Sequence, residues 1–166
     1  MNKNLAIAAG VLLLLTGALW FFALQPEREA VAYPPAKLLA DGIGHYERKE
    51  YDLALEVLRQ VPDGSVEKAQ ALYYEGSSYV MLKDHESAVP PLEQALALNP
   101  RDTGSLYALG VASFKLGNLP LAKGYFAALL EINPNDEQAK GLYDIMARLE
   151  RQSVAESESP EIDESE

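Results

Sequence analysis

The hydrophobic pattern divides the chain into an uninterrupted apolar run near the N-terminus and a longer region with helical spacing. Residues 5–24 read LAIAAGVLLLLTGALWFFAL and contain no charged side chain. Twenty residues in a helix span about 30 Å, which is the thickness of a bilayer hydrocarbon core. We therefore predict that residues 5–24 form a transmembrane helix. Residues 1–24 would then comprise a cytoplasmic stub and a signal-anchor helix.

The charges beside this run predict its orientation. Lys3 and the free amine precede it, whereas the segment that follows, QPERE, carries a net negative charge. Positive residues favour the cytoplasmic side. We therefore expect a single-pass protein of a bacterial inner membrane, with a cytoplasmic N-terminus and a periplasmic C-terminal domain. Alternatively, Ala30 and Ala32 form a small-x-small cleavage site, and cleavage after Ala32 would release the chain into the periplasm.

The rest of the chain repeats itself every 34 residues. Small residues at fixed positions allow two helices to approach closely, and a large residue one turn beyond the second small residue fills the space between them. A single helical hairpin leaves an apolar face uncovered, so neighbouring copies must stack. The four series that keep this spacing are Gly42, Gly76 and Gly110; Ala54, Ala88 and Ala122; Leu58, Leu92 and Phe126; and Leu38, Leu72 and Leu106.

This period predicts three repeats at about 35–68, 69–102 and 103–136, and a capping helix at 136–152 completes a domain over 36–152. The spacer 25–35 contains three prolines, and the acidic tail 153–166 is expected to be disordered. Turn and cap residues support the division. Ser65, Asp102 and Asp136 are expected to cap helices, and Gly117 with Asn118 separates the two helices of the third repeat.

The third copy resembles a tetratricopeptide repeat through Leu106-x-x-Leu109-Gly110, Ala122-x-x-x-Phe126 and Pro134. The resemblance covers roughly residues 35–136, although Asp41 and His45 depart from it in the first copy. It implies an all-α superhelix of helical hairpins, with three repeats and a C-terminal capping helix, behind one N-terminal transmembrane helix. The second copy matches through Leu72, Gly76, Tyr79, Ala88, Leu92, Ala95 and Pro100.

The resemblance also implies a partner-binding concave face, lined by the first helix of each repeat. Its apolar and aromatic side chains suit an apolar helix or an extended peptide. Alternatively, the capping helix, the spacer or a second copy of the chain in a homo-oligomer already covers them. The implied residues are Leu39, Ile43, Tyr46, Tyr73, Ser77, Val80, Met81, Tyr107, Val111, Phe114 and Lys115.

One binding mode within that family is not expected here. A chaperone-binding subclass grips a C-terminal carboxylate with lysine and asparagine side chains on the concave face. This chain has Leu39, Ile43, Tyr73 and Ser77 at such positions.

Composition and motifs exclude several kinds of chemistry. The net charge of -11 repels nucleic acid, and the absence of cysteine excludes thiolate metal sites and a cysteine nucleophile. Only two histidines, His45 and His85, are present. A contact between Asp41 and His45, one helical turn apart, is expected to be structural. We predict no catalytic residues, no metal site and no cofactor, and hence no enzyme.

Two functions remain after these exclusions. The first is a membrane-tethered adaptor or scaffold for protein–protein interaction. Its repeats would face the periplasm and recruit or assemble an envelope complex through an apolar groove, with the membrane held by residues 5–24. The alternative is a structural subunit of a larger membrane complex, held mainly through its transmembrane helix.

Overall fold

Residues 33–157 are described by the computed structural model, and within them the fold is entirely helical. Helices α1 and α2, α3 and α4, and α5 and α6 form three successive hairpins, and α7 packs against α6. The first helices of neighbouring hairpins also contact each other, α1 with α3 and α3 with α5. The bounds are Pro35–Glu47 for α1, Tyr51–Leu58 for α2, Lys68–Leu82 for α3, His85–Leu98 for α4, Thr103–Lys115 for α5, Leu119–Ile132 for α6 and Glu137–Ser157 for α7.

The predicted transmembrane run, most of the spacer and the end of the acidic tail lie outside the described residues. Between residues 33 and 157, no helix combines the length and apolar character needed to cross a bilayer. The prediction for residues 5–24 therefore stays a prediction.

A contact between a glycine and a large side chain holds each hairpin together. A Cβ atom added at Gly76 would lie 2.3 Å from Leu92 Cγ and 3.1 Å from the carbonyl oxygen of Ala88. Gly110 faces Phe126 in the same way, at 2.7 Å from the ring. Leu92 and Phe126 are almost completely buried. The predicted pairing of small and large residues at the 34-residue step is therefore confirmed.

Polar side chains mark where the helices begin. Asp102 accepts a hydrogen bond from the Ser105 amide at 2.9 Å, and Asp136 accepts one from the Ala139 amide at 2.9 Å. Asn118 likewise accepts from the Leu121 amide at 3.2 Å, following the turn at Gly117. These side chains satisfy amide groups that have no partner inside the helix. The caps predicted at Asp102 and Asp136 are confirmed.

The cap predicted at Ser65 is wrong. Helix α3 begins at Lys68, and no side chain caps it. The Ser65 amide instead donates to the carbonyl of Pro62, and the Ser65 carbonyl accepts from the Lys68 amide. Ser65 is therefore engaged in turns before the helix, because α2 ends early, at Leu58, and a longer connection is needed to reach α3.

Helix α7 ends the array. Ala139 and Met146 are buried in the core that α7 shares with α6. Lys140 and Asp144 occupy the registers of Leu106 and Gly110, and both are exposed. Charged side chains at these positions disfavour the packing of a further helix, because burying an unpaired charge costs free energy. The helix continues to Ser157, five residues beyond the predicted end at residue 152, so the start of the acidic tail is helical.

The packing predicts opposite effects for alanine at two helical glycines. Gly76→Ala should destabilise the domain by about 1–3 kcal/mol, because the added methyl group meets a buried leucine and a backbone oxygen. Gly141→Ala should stabilise it by about 0.5–1 kcal/mol, because no atom lies within 4 Å and alanine favours the helix. Urea denaturation followed by circular dichroism measures both. Equal effects of the two substitutions would contradict the packing.

Candidate functional site

A groove of about 570 Å³ runs across the first helices of the repeats. Helix α3 lies at its centre, between α1 and α5, and α7 contributes at the far side. Its lining is mostly apolar and aromatic, and hydroxyl and amide groups are distributed among the apolar side chains. The lining residues are Tyr46, Tyr73, Ser77, Val80, Met81, Thr103, Gly104, Tyr107, Ala108, Val111, Leu129, Asp136 and Gln138.

The structure brings seven of the eleven predicted residues together in this groove and places four elsewhere. Leu39 is buried in the core of the first repeat, and Ile43 packs against the same core. Phe114 packs against the core shared by α6 and α7. Lys115 is exposed, and its Nζ lies 5.7 Å from the centre of the Phe114 ring. The seven in the groove are Tyr46, Tyr73, Ser77, Val80, Met81, Tyr107 and Val111.

Six lining residues escaped the sequence prediction. The 34-residue period could have indicated Gln138, because this residue continues the series of Gln70 and Gly104 into the capping helix. Its Nε2 donates a hydrogen bond to the Tyr107 hydroxyl at 2.6 Å. Of the others, Thr103 and Gly104 lie at the start of α5 and Ala108 is buried on the same helix, whereas Leu129 comes from α6 and Asp136 from the turn after it.

Four tyrosines form a connected cluster at one side of the groove. The ring of Tyr46 meets those of Tyr51 and Tyr74 edge-on, with ring centres 5.6 Å and 5.2 Å apart. Tyr73 meets Tyr74 in the same way at 5.0 Å. Edge-to-face pairs add to the energy of burial and hold the rings at defined angles. The aromatic wall is therefore fixed before any ligand binds.

A smaller cavity of about 380 Å³ adjoins the same tyrosines. Tyr73 lines both this cavity and the groove. A Cβ atom added at Gly104 would lie 2.7 Å from the Tyr73 ring, so the glycine leaves the space that the ring occupies. The smaller cavity is lined by Val66, Ala69, Gln70, Tyr73, Tyr74, Ala95, Asn99 and Asp102.

The groove carries almost no charge. Asp136 is the one charged side chain among its described lining residues, and it also caps α7. Burial, followed by the charges of the neighbouring tyrosines, raises the pKa of the Tyr46 hydroxyl. Burial also raises the pKa of Tyr74. These phenols are neutral at physiological pH, so they offer hydrogen bonds without charge.

The polar residues singled out as chemical candidates are engaged in local contacts. Asp41 pairs with Lys37 at 2.5 Å rather than with His45, so the expected contact between Asp41 and His45 is wrong. His45 Nδ1 lies 2.7 Å from Glu50 Oε2, because the turn after α1 brings Glu50 back towards it. Within residues 33–157, no three His, Asp or Glu side chains are grouped as a metal site requires.

Comparison with known proteins shows which proteins this helical architecture resembles. A family model described as the tetratricopeptide repeat matches residues 79–149. Residues 79–149 are thus similar to tetratricopeptide repeats. The match spans the end of the second repeat, the third repeat and most of the capping helix.

One similar protein of known sequence is the human tetratricopeptide repeat protein 12. It is 28% identical over 139 residues, and the aligned region covers 76% of this chain and 19% of that protein. The chain thus spans about a fifth of the length of this curated relative. The similarity therefore concerns the repeat domain alone.

Solved structures share the fold at low sequence identity. The first tetratricopeptide domain of Spaghetti (RPAP3), bound to the HSP90 peptide SRMEEVD, has a TM-score of 0.65 at 24% identity and covers 69% of this chain and 94% of its own. The second such domain of human RPAP3, in complex with the HSP70 peptide SGPTIEEVD, has a TM-score of 0.63 at 21% identity and covers 69% and 98%. The Sgt2 domain from Aspergillus fumigatus has a TM-score of 0.66 at 23% identity and covers 76% and 85%.

The tyrosine cluster predicts an alkaline loss of stability. Tyr46 has a raised pKa in the folded chain, so its contribution to stability is complete below the unfolded value near 10 and is lost as the pH rises through the folded value. Tyr46→Phe cannot ionise. Its free energy of unfolding should therefore fall less steeply above about pH 10 than that of the unsubstituted chain. Denaturation at a series of pH values measures this, and identical slopes would contradict the assignment.

Proposed function

We propose that this protein is a membrane-tethered adaptor that recruits a protein partner through the groove on its first helices. The observation that carries the proposal is the continuous, uncharged and aromatic lining of that groove. Exposed apolar surface of this kind usually marks a contact with another molecule. Met81 supports this reading, since 49% of its surface is exposed although it lies among groove residues.

Similar domains bind peptides, and we carry that broad mode over to this chain. The two RPAP3 domains were solved with the peptides SRMEEVD and SGPTIEEVD, which both end in acidic residues. The groove of this chain has no lysine or arginine among its described lining residues. An acidic peptide would lose hydration there without gaining an ion pair. We therefore propose a peptide or protein segment of different, largely uncharged chemistry.

The membrane attachment is part of the proposal. It is supported by the uncharged apolar run of residues 5–24 and by Lys3 before it. In this arrangement the repeats face the periplasm of a bacterial cell, on the outer side of the inner membrane. Tethering raises the local concentration of a weakly held partner, so a modest groove suffices for recruitment.

Photocrosslinking tests the groove in the full-length chain in its own membranes. Benzoylphenylalanine placed at Met81 should crosslink a discrete partner, whereas the same group at Leu121 should not. Leu121 is a matched control because it is 44% exposed on α6 and lies outside the groove. Tyr107→Ala should reduce the Met81 crosslink by about tenfold or more, since a buried aromatic anchor contributes about 2 kcal/mol to a typical interface.

Equal crosslinking from Met81 and Leu121 would contradict a groove-specific partner. The melting temperature of the Tyr107→Ala variant provides the control for folding. A folded variant that keeps its full crosslink would place the contact on another surface.

The absence of native cysteine allows a direct test of topology. A single Ser153→Cys substitution, in an exposed part of α7, should react with a membrane-impermeant maleimide in cells whose outer membrane has been opened. Asn2→Cys should react only after the inner membrane is dissolved. The reverse pattern would contradict the proposed orientation. The mass of the purified chain then distinguishes retention of residues 1–32 from cleavage after Ala32.

A further inference from the structure

The tyrosines of the groove are spaced by the packing of the first helices. Tyr73 on α3 and Tyr107 on α5 occupy the same register, 34 residues apart, and these two helices pack side by side. Packed helices lie about 8–10 Å apart. Tyr46 lines the same groove from α1, seven residues beyond Leu39, which occupies the position of Tyr73 and Tyr107 in the first repeat. A ligand that crosses from α3 to α5 therefore meets two aromatic side chains about 9 Å apart.

Polyproline II is the extended conformation whose repeat matches this spacing. It has three residues per turn and a rise of about 3.1 Å, so every third residue faces the same side at intervals of about 9.3 Å. In a β-strand, residues three apart point to opposite faces.

The hydrogen-bonding groups of the groove also suit such a segment. A polyproline II helix has no internal hydrogen bonds, and proline offers a carbonyl acceptor but no N–H donor. Within residues 33–157, the hydroxyls of Tyr46 and Tyr73 have no hydrogen-bond partner. The Tyr107 hydroxyl accepts from Gln138, which leaves its own proton available to a ligand. The groove therefore offers several donors to a ligand that presents only acceptors.

Charge complementarity points to the same ligand class. The lining contains no cation, and its one acid, Asp136, already accepts the Ala139 amide. A charged peptide would lose hydration on entering and find no free counter-charge. Proline side chains carry no charge, and a polyproline II segment keeps the same conformation before and after binding, so it loses little entropy.

Gly104 supports a role for the precise position of Tyr73. The first helices have Ala36, Gln70 and Gln138 at the equivalent register, so the glycine is particular to α5. A side chain at residue 104 would collide with the Tyr73 ring, whose Cε2 and Cζ atoms lie 2.7 Å and 2.9 Å from the added Cβ position. The glycine costs helix stability near the start of α5, and it keeps the ring between the groove and the smaller cavity.

From this geometry we propose that the groove binds a proline-rich segment of a partner protein in the polyproline II conformation, with residues three apart placed against Tyr73 and Tyr107 and the rest of the segment continuing towards Tyr46. The inference rests on the proposed function, because it specifies the partner chemistry of the same groove.

Fluorescence anisotropy with synthetic peptides tests this on the full-length chain in lipid nanodiscs. The probes are fluorescein-labelled nonaproline, triproline, a glycine–serine peptide of the same length as nonaproline, and SRMEEVD. Nonaproline reaches three first helices and triproline reaches one, so nonaproline should bind about tenfold or more tightly than triproline. The glycine–serine peptide and SRMEEVD should bind more weakly than nonaproline.

Substitutions distinguish specific contacts with the aromatic rings from nonspecific binding of the peptide. Tyr107→Leu should weaken nonaproline binding about twofold to tenfold, which is the range expected when one aromatic pair is lost. Tyr107→Phe keeps the ring and should retain more affinity than Tyr107→Leu. Tyr125→Leu is the matched control, because Tyr125 is half-buried on α6 and lines neither cavity. It should bind nonaproline as the unsubstituted chain does.

Three results would overturn the inference: nonaproline binding no tighter than the glycine–serine peptide, tighter binding of SRMEEVD than of nonaproline, or unchanged binding by a folded Tyr107→Leu variant. The Met81 photocrosslink separates this failure from that of the adaptor function. A groove-specific crosslink without nonaproline binding would support the adaptor function and exclude a proline-rich ligand. Loss of both excludes the groove as a binding site.

Discussion

Close approach of two helices at a glycine is the contact on which the rest of the structure depends. In each hairpin the side chain of Leu58, Leu92 or Phe126 fills the space that a Cβ atom on the opposing glycine would need. This contact fixes the distance between the helices of a pair. The uncovered apolar face must then be buried by the next pair, so the hairpins stack and their first helices lie side by side. The groove follows from that stacking.

The groove is lined mainly by positions of the first helices whose side chains are not fully buried in the core. Tyr46, Tyr73 and Tyr107 are half-buried, and their rings or hydroxyls contact protein neighbours on one side and the groove on the other. Because aromatic contacts and the bond from Gln138 hold them, the surface is preorganised and little order must be imposed on binding. Its lack of charge excludes the ion pairs that would select an acidic peptide.

Helix α7 has two roles at the C-terminal end of the array. Lys140 and Asp144 replace the leucine and glycine of the earlier copies, which disfavours the packing of a further hairpin on α7. The ion pair between Lys123 and Glu150 ties α7 to α6 instead. At the same time Gln138 extends the groove onto α7. The capping helix therefore closes the core and completes the candidate site, and loss of α7 would affect both.

The sequence predicted the number of hairpins, the residues that hold each hairpin together and two of the three helix caps. These features are local or strictly periodic, so a step of 34 residues and the chemistry of Asp102 or Asp136 predict them without coordinates. It also identified seven groove residues, because the register of a first helix repeats. The tertiary structure was needed to separate these seven from the other four predicted residues. Leu39 occupies the register of Tyr73, and Phe114 that of Val80, yet both pack against cores because neighbouring helices cover them. Leu129 and Asp136 enter from a second helix and the turn that follows it, since a groove is shaped by packing between elements that no single periodicity encodes.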